Sequence, residues 1–206
     1  LNPDNLNTMN KRFNNMKGGF EGAIKNLRKY GISLYPTFVF GYDNDTIESF
    51  KTTVEFAKKH KCFIVAFNHL TPFPGTPLYN RLKEKGKLKY EQWWLDPRYR
   101  YGDCPITGLS MTGDEIKNNC IEARRSFYSL GSIISRGLDR WNSSDSVMAR
   151  SFLIVNFLLR REVSQRDGLP LGDKSFEGEL IKAKHNDQRT LDEFLLEKKE
   201  ALLVRG

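Results

Sequence analysis

Cysteine is scarce in this chain, and what there is has the wrong spacing for the usual cysteine chemistry. The 206 residues hold three, Cys62, Cys104 and Cys120, an odd number without a CxxC pair. That excludes a disulfide framework and a metal knot, and points to a reducing, cytoplasmic setting. Long apolar runs are also missing. The most apolar stretch, residues 151–159, contains Asn156 and is bounded by Arg150 and Arg160, so no membrane span is expected. There is no GxGxxG, Walker loop, GxSxG or HExxH, which removes the motif-borne nucleotide, hydrolase and zinc-protease chemistries. The chain opens Leu-Asn-Pro-Asp without an initiator Met, a basic leader or an apolar signal segment. The expectation is therefore a piece of a longer protein.

Acidic residues are in deficit, giving a net charge of +8, and the placement of the excess decides what it means. Residues 1–110 hold 17 Lys/Arg against 10 Asp/Glu, while 111–206 hold 16 against 15. Much of the first-half excess is lysine, from Lys51 to Lys61 and from Lys83 to Lys89, at positions that read as helix ends and a turn. A solvated basic face complementing helix C-termini explains it better than a groove tracking phosphates. Nucleic acid is not expected as a partner.

What is present is a βα pattern. Phe20, Ile24, Leu27 and Tyr30 have helical spacing over residues 17–30, with Gly31 as the stop. Residues 32–40 (ISLYPTFVF) read as a buried strand, weakened by Pro36. A turn, Gly41 to Asp45, then leads to a helix capped by Asp45 or Thr46, with Glu48 placed to close a capping box on Asp45 and a core face of Ile47, Phe50, Val54 and Ala57. Residues 62–67 (CFIVAF), running into Asn68-His69-Leu70, read as a strand covered on both faces. Strand, helix, strand at this period predicts a parallel βαβ unit. In such sheets the chemistry gathers beyond the strands' C-terminal ends, here Phe40 to Asp43 and Asn68 to Thr71.

A stiff loop with three prolines follows, from Thr71 to Pro77. Thr76 and Pro77 open a helix through about Lys85. Residues 87–111 have no period and carry Trp93, Trp94, Tyr99 and Tyr101; a segment this irregular is usually functional or an extended strap, and aromatics in it are more often packing than ligand contacts. Thr112 with Glu115 opens a helix carrying Ile116, Cys120, Ala123, Phe127 and Leu130, with Gly131 and Gly137 as candidate breaks. Asp145 caps another, with Val147, Met148, Phe152, Val155 and Leu159 as its apolar positions and the Gly/Pro run 168–172 as its close. A charged terminal helix opens at Thr190 with Glu193. Of the three histidines only His69 sits at a strand end. By residue chemistry alone this is part of an α/β barrel-like sheet with a polar mouth, and no reaction is specified.

Two strings add to this. Phe38-Val39-Phe40-Gly41-Tyr42-Asp43-Asn44-Asp45-Thr46, followed by Leu70-Thr71-Pro72-Phe73-Pro74-Gly75-Thr76-Pro77-Leu78-Tyr79 with Arg81-Leu82, then Trp94, Asp96, Tyr99 and Met111, resemble the later half of radical S-adenosylmethionine (SAM) enzymes. The likeness is to the subfamily with an N-terminal cobalamin-binding domain and covers roughly residues 1–130. It implies an α/β fold: residues 1–86 as the last strands of a partial (β/α)6 TIM-like barrel, 87–111 as the aromatic strap, 112–172 as a mostly helical C-terminal extension and 173–206 as a charged tail. Residues 32–40 and 62–70 would be the fifth and sixth strands.

The resemblance further implies a part of an enzyme that cleaves SAM reductively to a 5′-deoxyadenosyl radical and, in cobalamin-binding members, goes on to methyl transfer. The cofactors are then SAM, a [4Fe–4S] cluster and cobalamin. The family's CxxxCxxC loop is absent, so the cluster ligands would lie upstream and the segment alone would be inactive. By position, Phe40, Gly41, Tyr42 and Asp43, with Leu70, Thr71 and Pro72, would meet SAM. Asn68 and His69 would face SAM or substrate, and Trp93, Trp94 and Tyr99 would cover the mouth. The partners implied are a small-molecule substrate, a reductant protein and the N-terminal remainder of the same protein. The rival expectation is a non-catalytic basic module, rich in helical arginine, that binds an acidic protein or RNA.

Overall fold

The structure, a computed structural model, describes residues 19–107, 110–163, 165, 168 and 169. The charged tail, with its Thr190–Glu193 box, and the run from residue 170 to 172 lie outside them. In order the elements are α1 (Gly19–Lys29), β1 (Thr37–Phe40), α2 (Ile47–Lys59), β2 (Ala66–His69), α3 (Pro77–Glu84), α4 (Gly113–Phe127), α5 (Leu130–Gly137) and α6 (Ser146–Glu162). The strands pair in parallel with Phe38 beside Phe67 and Phe40 beside His69, as the βαβ pattern requires. Two strands make an α/β layer; a closed barrel is not among the described residues.

Both strands are shorter than their apolar runs. Pro36 has no N–H to give the ladder, although its carbonyl still accepts from Ala66 N at 3.1 Å, so β1 begins one residue later. One face of the sheet is packed. Phe40 stacks on Phe50 at 4.0 Å between ring centroids and lies near Phe67, and α4 closes over them with Ile116, Cys120, Ala123 and Phe127. The opposite face, carrying Thr37, Val39 and Asn68, is exposed, which corrects the expectation of a strand covered on both sides. The alternation of Phe38 and Phe40 with Thr37 and Val39 is that of a one-sided strand.

The sheet's two outer edges differ. Beyond β2 the backbone is sealed by side chains: the Tyr128 hydroxyl bridges Val65 N (3.1 Å) and Val65 O (2.8 Å), and Arg124 donates to Phe67 O at 2.7 Å. Just before β2, the buried Arg136 donates to the carbonyls of Cys62 (3.0 Å), Phe63 (3.1 Å) and Phe127 (3.2 Å) and to Asn156 Oδ1 (2.9 Å). Its guanidinium stacks 3.9 Å from the Phe127 ring centroid, and burial lowers its pKa to about 10. Beyond β1, no backbone partner meets Tyr35, Thr37 or Val39 among the described residues. A bare strand edge of this kind is one that a further strand can extend.

Three local expectations need correction. Of the two cap candidates Thr46 is the one that caps α2, and the box is closed not by Glu48 on Asp45 but by the Ser49 hydroxyl, which accepts from Thr46 N at 3.1 Å, because the Asp45 carboxylate is used elsewhere. The helix opened by Thr112 and Glu115 does form its box, but it ends at Phe127 rather than at Gly131. Ser129 caps α5, and Gly131 lies inside that helix. α6 takes Asp145 as its cap, with Oδ1 accepting from Val147 N at 2.9 Å and Met148 N at 2.8 Å, yet Val147 points outward and the buried positions are Phe152 and Asn156. The strap is closed at its neck: Lys89 N donates to Pro105 O at 2.9 Å and Thr107 N to Lys87 O at 2.8 Å.

Candidate functional site

The loop after β1 is held from within. The buried Asp45 carboxylate accepts from Gly41 N at 2.9 Å and Tyr42 N at 3.0 Å, two donors that would otherwise be orphaned where the strand ends. The Ser110 hydroxyl lies 2.8 Å from Asp45 O and 3.2 Å from Tyr42 O, tying the loop to the entry of α4. Gly41 has φ +108, a conformation side chains resist. A Cβ there would also come within 3.3 Å of Ile116 Cδ1 and 3.4 Å of Leu70 Cβ, so the small residue serves close packing of the loop on α4. Tyr42 is half-buried, and burial, then the Asp45 charge, raise its phenol pKa. Asp43 is exposed at the loop's tip.

The loop after β2 is held by aromatic packing. Leu70 and Pro72 are buried, Leu70 N donates to Phe40 O at 2.7 Å, and Trp93 Nε1 donates to Pro72 O at 2.9 Å. Trp93 sits 5.0 Å from Tyr99 and 5.7 Å from Trp94, and Trp94 5.9 Å from Tyr79. The Tyr99 hydroxyl donates to Asp103 O at 3.0 Å, and burial, first among its causes, pushes its pKa up to about 12. The three strap aromatics thus form one cluster that fixes the proline loop, with Trp93 and Tyr99 buried in it and Trp94 half-buried.

Asn68 and His69 diverge, as adjacent strand residues must. Asn68 is on the bare face; His69 is on the packed side beside Phe40. His69 Nδ1 lies 3.3 Å from Thr71 Oγ1. Burial, the largest influence, lowers its pKa, with Arg124 and Lys117 acting the same way and Asp103 opposing. Lys117 and Asp103 are themselves paired at 3.0 Å. At neutral pH His69 is an uncharged imidazole.

Of the residues singled out from the sequence, Tyr42, Asp43, Asn68, His69 and Thr71 are the ones not fully buried at the strand ends, with His69 on the packed side of the sheet. Phe40, Gly41, Leu70 and Pro72 build the floor beneath them. Two residues escaped the sequence reading. Asp45 is one of two cap candidates in the sequence, and its spacing four residues after Gly41 is the available sign of a carboxylate turned back on the loop. Val39 was absorbed into a buried run, although the Thr37-Phe38-Val39-Phe40 alternation marks it as facing the other way.

Among the described residues no group of three or more His, Cys, Asp or Glu side chains converges. All three cysteines are buried, and burial pushes the Cys62 thiol up to about 11 and Cys120 up to about 12. A cluster needs exposed, ionisable thiolates on a common loop, so this chain's cysteines do not fit one. No helix among the described residues is long and apolar enough to cross a membrane.

The chain is 32% identical over 136 residues to bacteriochlorophyllide d C-12(1)-methyltransferase of Chlorobaculum tepidum, covering 66% of this chain and 28% of the relative. The relative is a methyltransferase. The C-8(2)-methyltransferase of bacteriochlorophyllide d from the same organism is 33% identical over 88 residues, 43% of this chain and 20% of that protein. The hopanoid C-2 methylase of Rhodopseudomonas palustris is 30% identical over 89 residues, 43% of this chain and 17% of its own length. The chain thus spans between 17% and 28% of the length of these relatives. No family model matches it, and no solved structure does.

Proposed function

We propose that this chain is the C-terminal segment of a radical SAM methyltransferase, supplying the last two strands of the barrel and one wall of the SAM mouth. The likeness to three methyltransferases supports the class of reaction. The observation that carries the structural half of the reading is the sheet's asymmetry: β2's edge is sealed by Tyr128 and Arg124, whereas β1's edge and the Thr37–Val39–Asn68 face are bare. A sheet so finished on one side grows only on the other, which is where the remaining strands of a barrel would add.

In this reading Tyr42, Asp43, Asn68 and Thr71 line the SAM side of the mouth, over a floor made by Gly41, Leu70 and Pro72. SAM bound there supplies the chemistry through its sulfonium centre, and the cluster that reduces it, with cobalamin where it takes part, belongs to the upstream portion. Asp45 holds the Gly41–Tyr42 backbone in place, and the Trp93 cluster stiffens the opposite lip, which keeps positions fixed for a reaction that tolerates little water. The substrate is a small molecule held against Asn68 and the bare face. The test is equilibrium dialysis of labelled SAM against the product of the complete reading frame that contains this chain. Asn68→Ala and Asp43→Ala, both at exposed positions, should each weaken binding about tenfold, the size of a lost hydrogen bond to a charged ligand. Unchanged SAM affinity in both variants overturns the site assignment.

A further inference from the structure

α6 is apolar on two sides. Phe152 and Asn156 point into the protein, with Leu159 packed against the core. Across the helix, Leu153 (45%), Ile154 (61%), Phe157 (48%) and Leu158 (56%) are exposed to solvent. A surface helix is normally polar on its outer side, so this face calls for an occupant. Arg150 and Arg161 lie on the same outward side, exposed, and neither is in an ion pair among the described residues. From Ser146 to Arg161 the helix has no acidic residue, Glu162 being its only one. At its C-terminal end a cavity of about 540 Å³ is lined by Arg125, Arg160 and Arg161 together with Phe157, so cationic and apolar surface are continuous through Phe157 and Arg161.

We propose that this outward face of α6 docks on an anionic lipid surface, with Leu153, Ile154, Phe157 and Leu158 seated at the headgroup boundary and Arg150 and Arg161 on lipid phosphates. The charge of the face selects this occupant. Large side chains interleaved with arginine and free of carboxylate are the composition of a helix lying in an interface plane, and the long arginine stems let the guanidinium groups reach the headgroups while the apolar side chains go deeper. An ordinary protein contact would place opposing carboxylates or neutral polar groups at its rim. The helix is too short and too charged to span, so the association is peripheral and reversible.

The test is flotation of the full chain with vesicles of equal parts phosphatidylglycerol and phosphatidylcholine, against vesicles of phosphatidylcholine alone. Binding is expected to the anionic vesicles and to fall with added salt. The double variant Arg150→Gln/Arg161→Gln should bind roughly thirtyfold more weakly, each arginine near an anionic surface being worth about fivefold. Ile154→Asp/Phe157→Asp should abolish binding while leaving the circular dichroism spectrum unchanged, since both side chains are largely outside the core. Equal binding to both vesicle types overturns the proposal, as does indifference to both double variants. So does a self-association in sedimentation that Ile154→Asp/Phe157→Asp removes in a chain that never floats with lipid.

Discussion

Asp45 shows how one residue joins fold to site. Its carboxylate is the acceptor for two loop amides, and its own carbonyl is within reach of Ser110. Asp45→Ala leaves the buried Gly41 N–H and the part-buried Tyr42 N–H without that acceptor, at a cost of about 1–3 kcal/mol. Urea unfolding should show the midpoint falling with an unchanged slope. His69 and His60 make a prediction about pH. Burial lowers both imidazole pKa values below the ordinary 6.5, so the unfolded chain takes up protons before the folded one. Their contribution to stability is complete above about pH 6.5 and is lost as the pH falls below it, ahead of the carboxylate range. His69→Gln should flatten the decline in melting temperature between about pH 7 and pH 5, and a decline as steep as that of the unmodified chain would contradict the burial of that ring.

The helical extension is attached to the sheet by side chains that treat β2 as a last strand. Arg136 is buried without a carboxylate and relies on four carbonyl-type acceptors and the Phe127 ring face. Its planar fork suits that geometry, and a lysine would reach fewer of the acceptors. Arg136→Met should destabilise by about 3–5 kcal/mol by stranding those acceptors, and Arg136→Lys should recover only part of the loss in thermal melts. Much of this level was legible beforehand. The capping box at Thr112, the Thr76–Pro77 start and the parallel βαβ order follow from local chemistry that tertiary contacts did not override. The boundary at Tyr128 was not, because the apolar spacing runs on through Leu130 while Ser129 caps a new helix and Tyr128 turns its hydroxyl to Val65. Nor was the use of Arg124, Arg136 and Arg160 on backbone carbonyls, which requires knowing which strand edge they face. Arg136 is buried and Arg124 half-buried in these contacts, while Arg160 stays exposed, so two of the helical arginines are withdrawn from any contact with RNA or an acidic partner.

At the scale of the molecule, the described residues make a two-stranded sheet with one packed face, one edge sealed by side chains, and an exposed face and an unpaired edge that meet at Val39. The residues that the site reading depends on were visible in the sequence as the ends of two apolar runs. Their division into floor and lining was not, because burial of Phe40, Leu70 and Pro72 against exposure of Asp43 and Asn68 depends on how α4 and the strap close over the loops. The most direct test uses the product of the complete reading frame that contains this chain, purified without oxygen and supplied with a reductant, SAM carrying a labelled methyl group, and a small-molecule cell extract as the source of acceptor. Labelled methyl is expected on an acceptor together with 5′-deoxyadenosine, both reduced about tenfold or more by Asn68→Ala. A reduced protein that binds SAM and forms neither product, or one whose turnover ignores Asn68→Ala and Asp43→Ala alike, would contradict the proposed function.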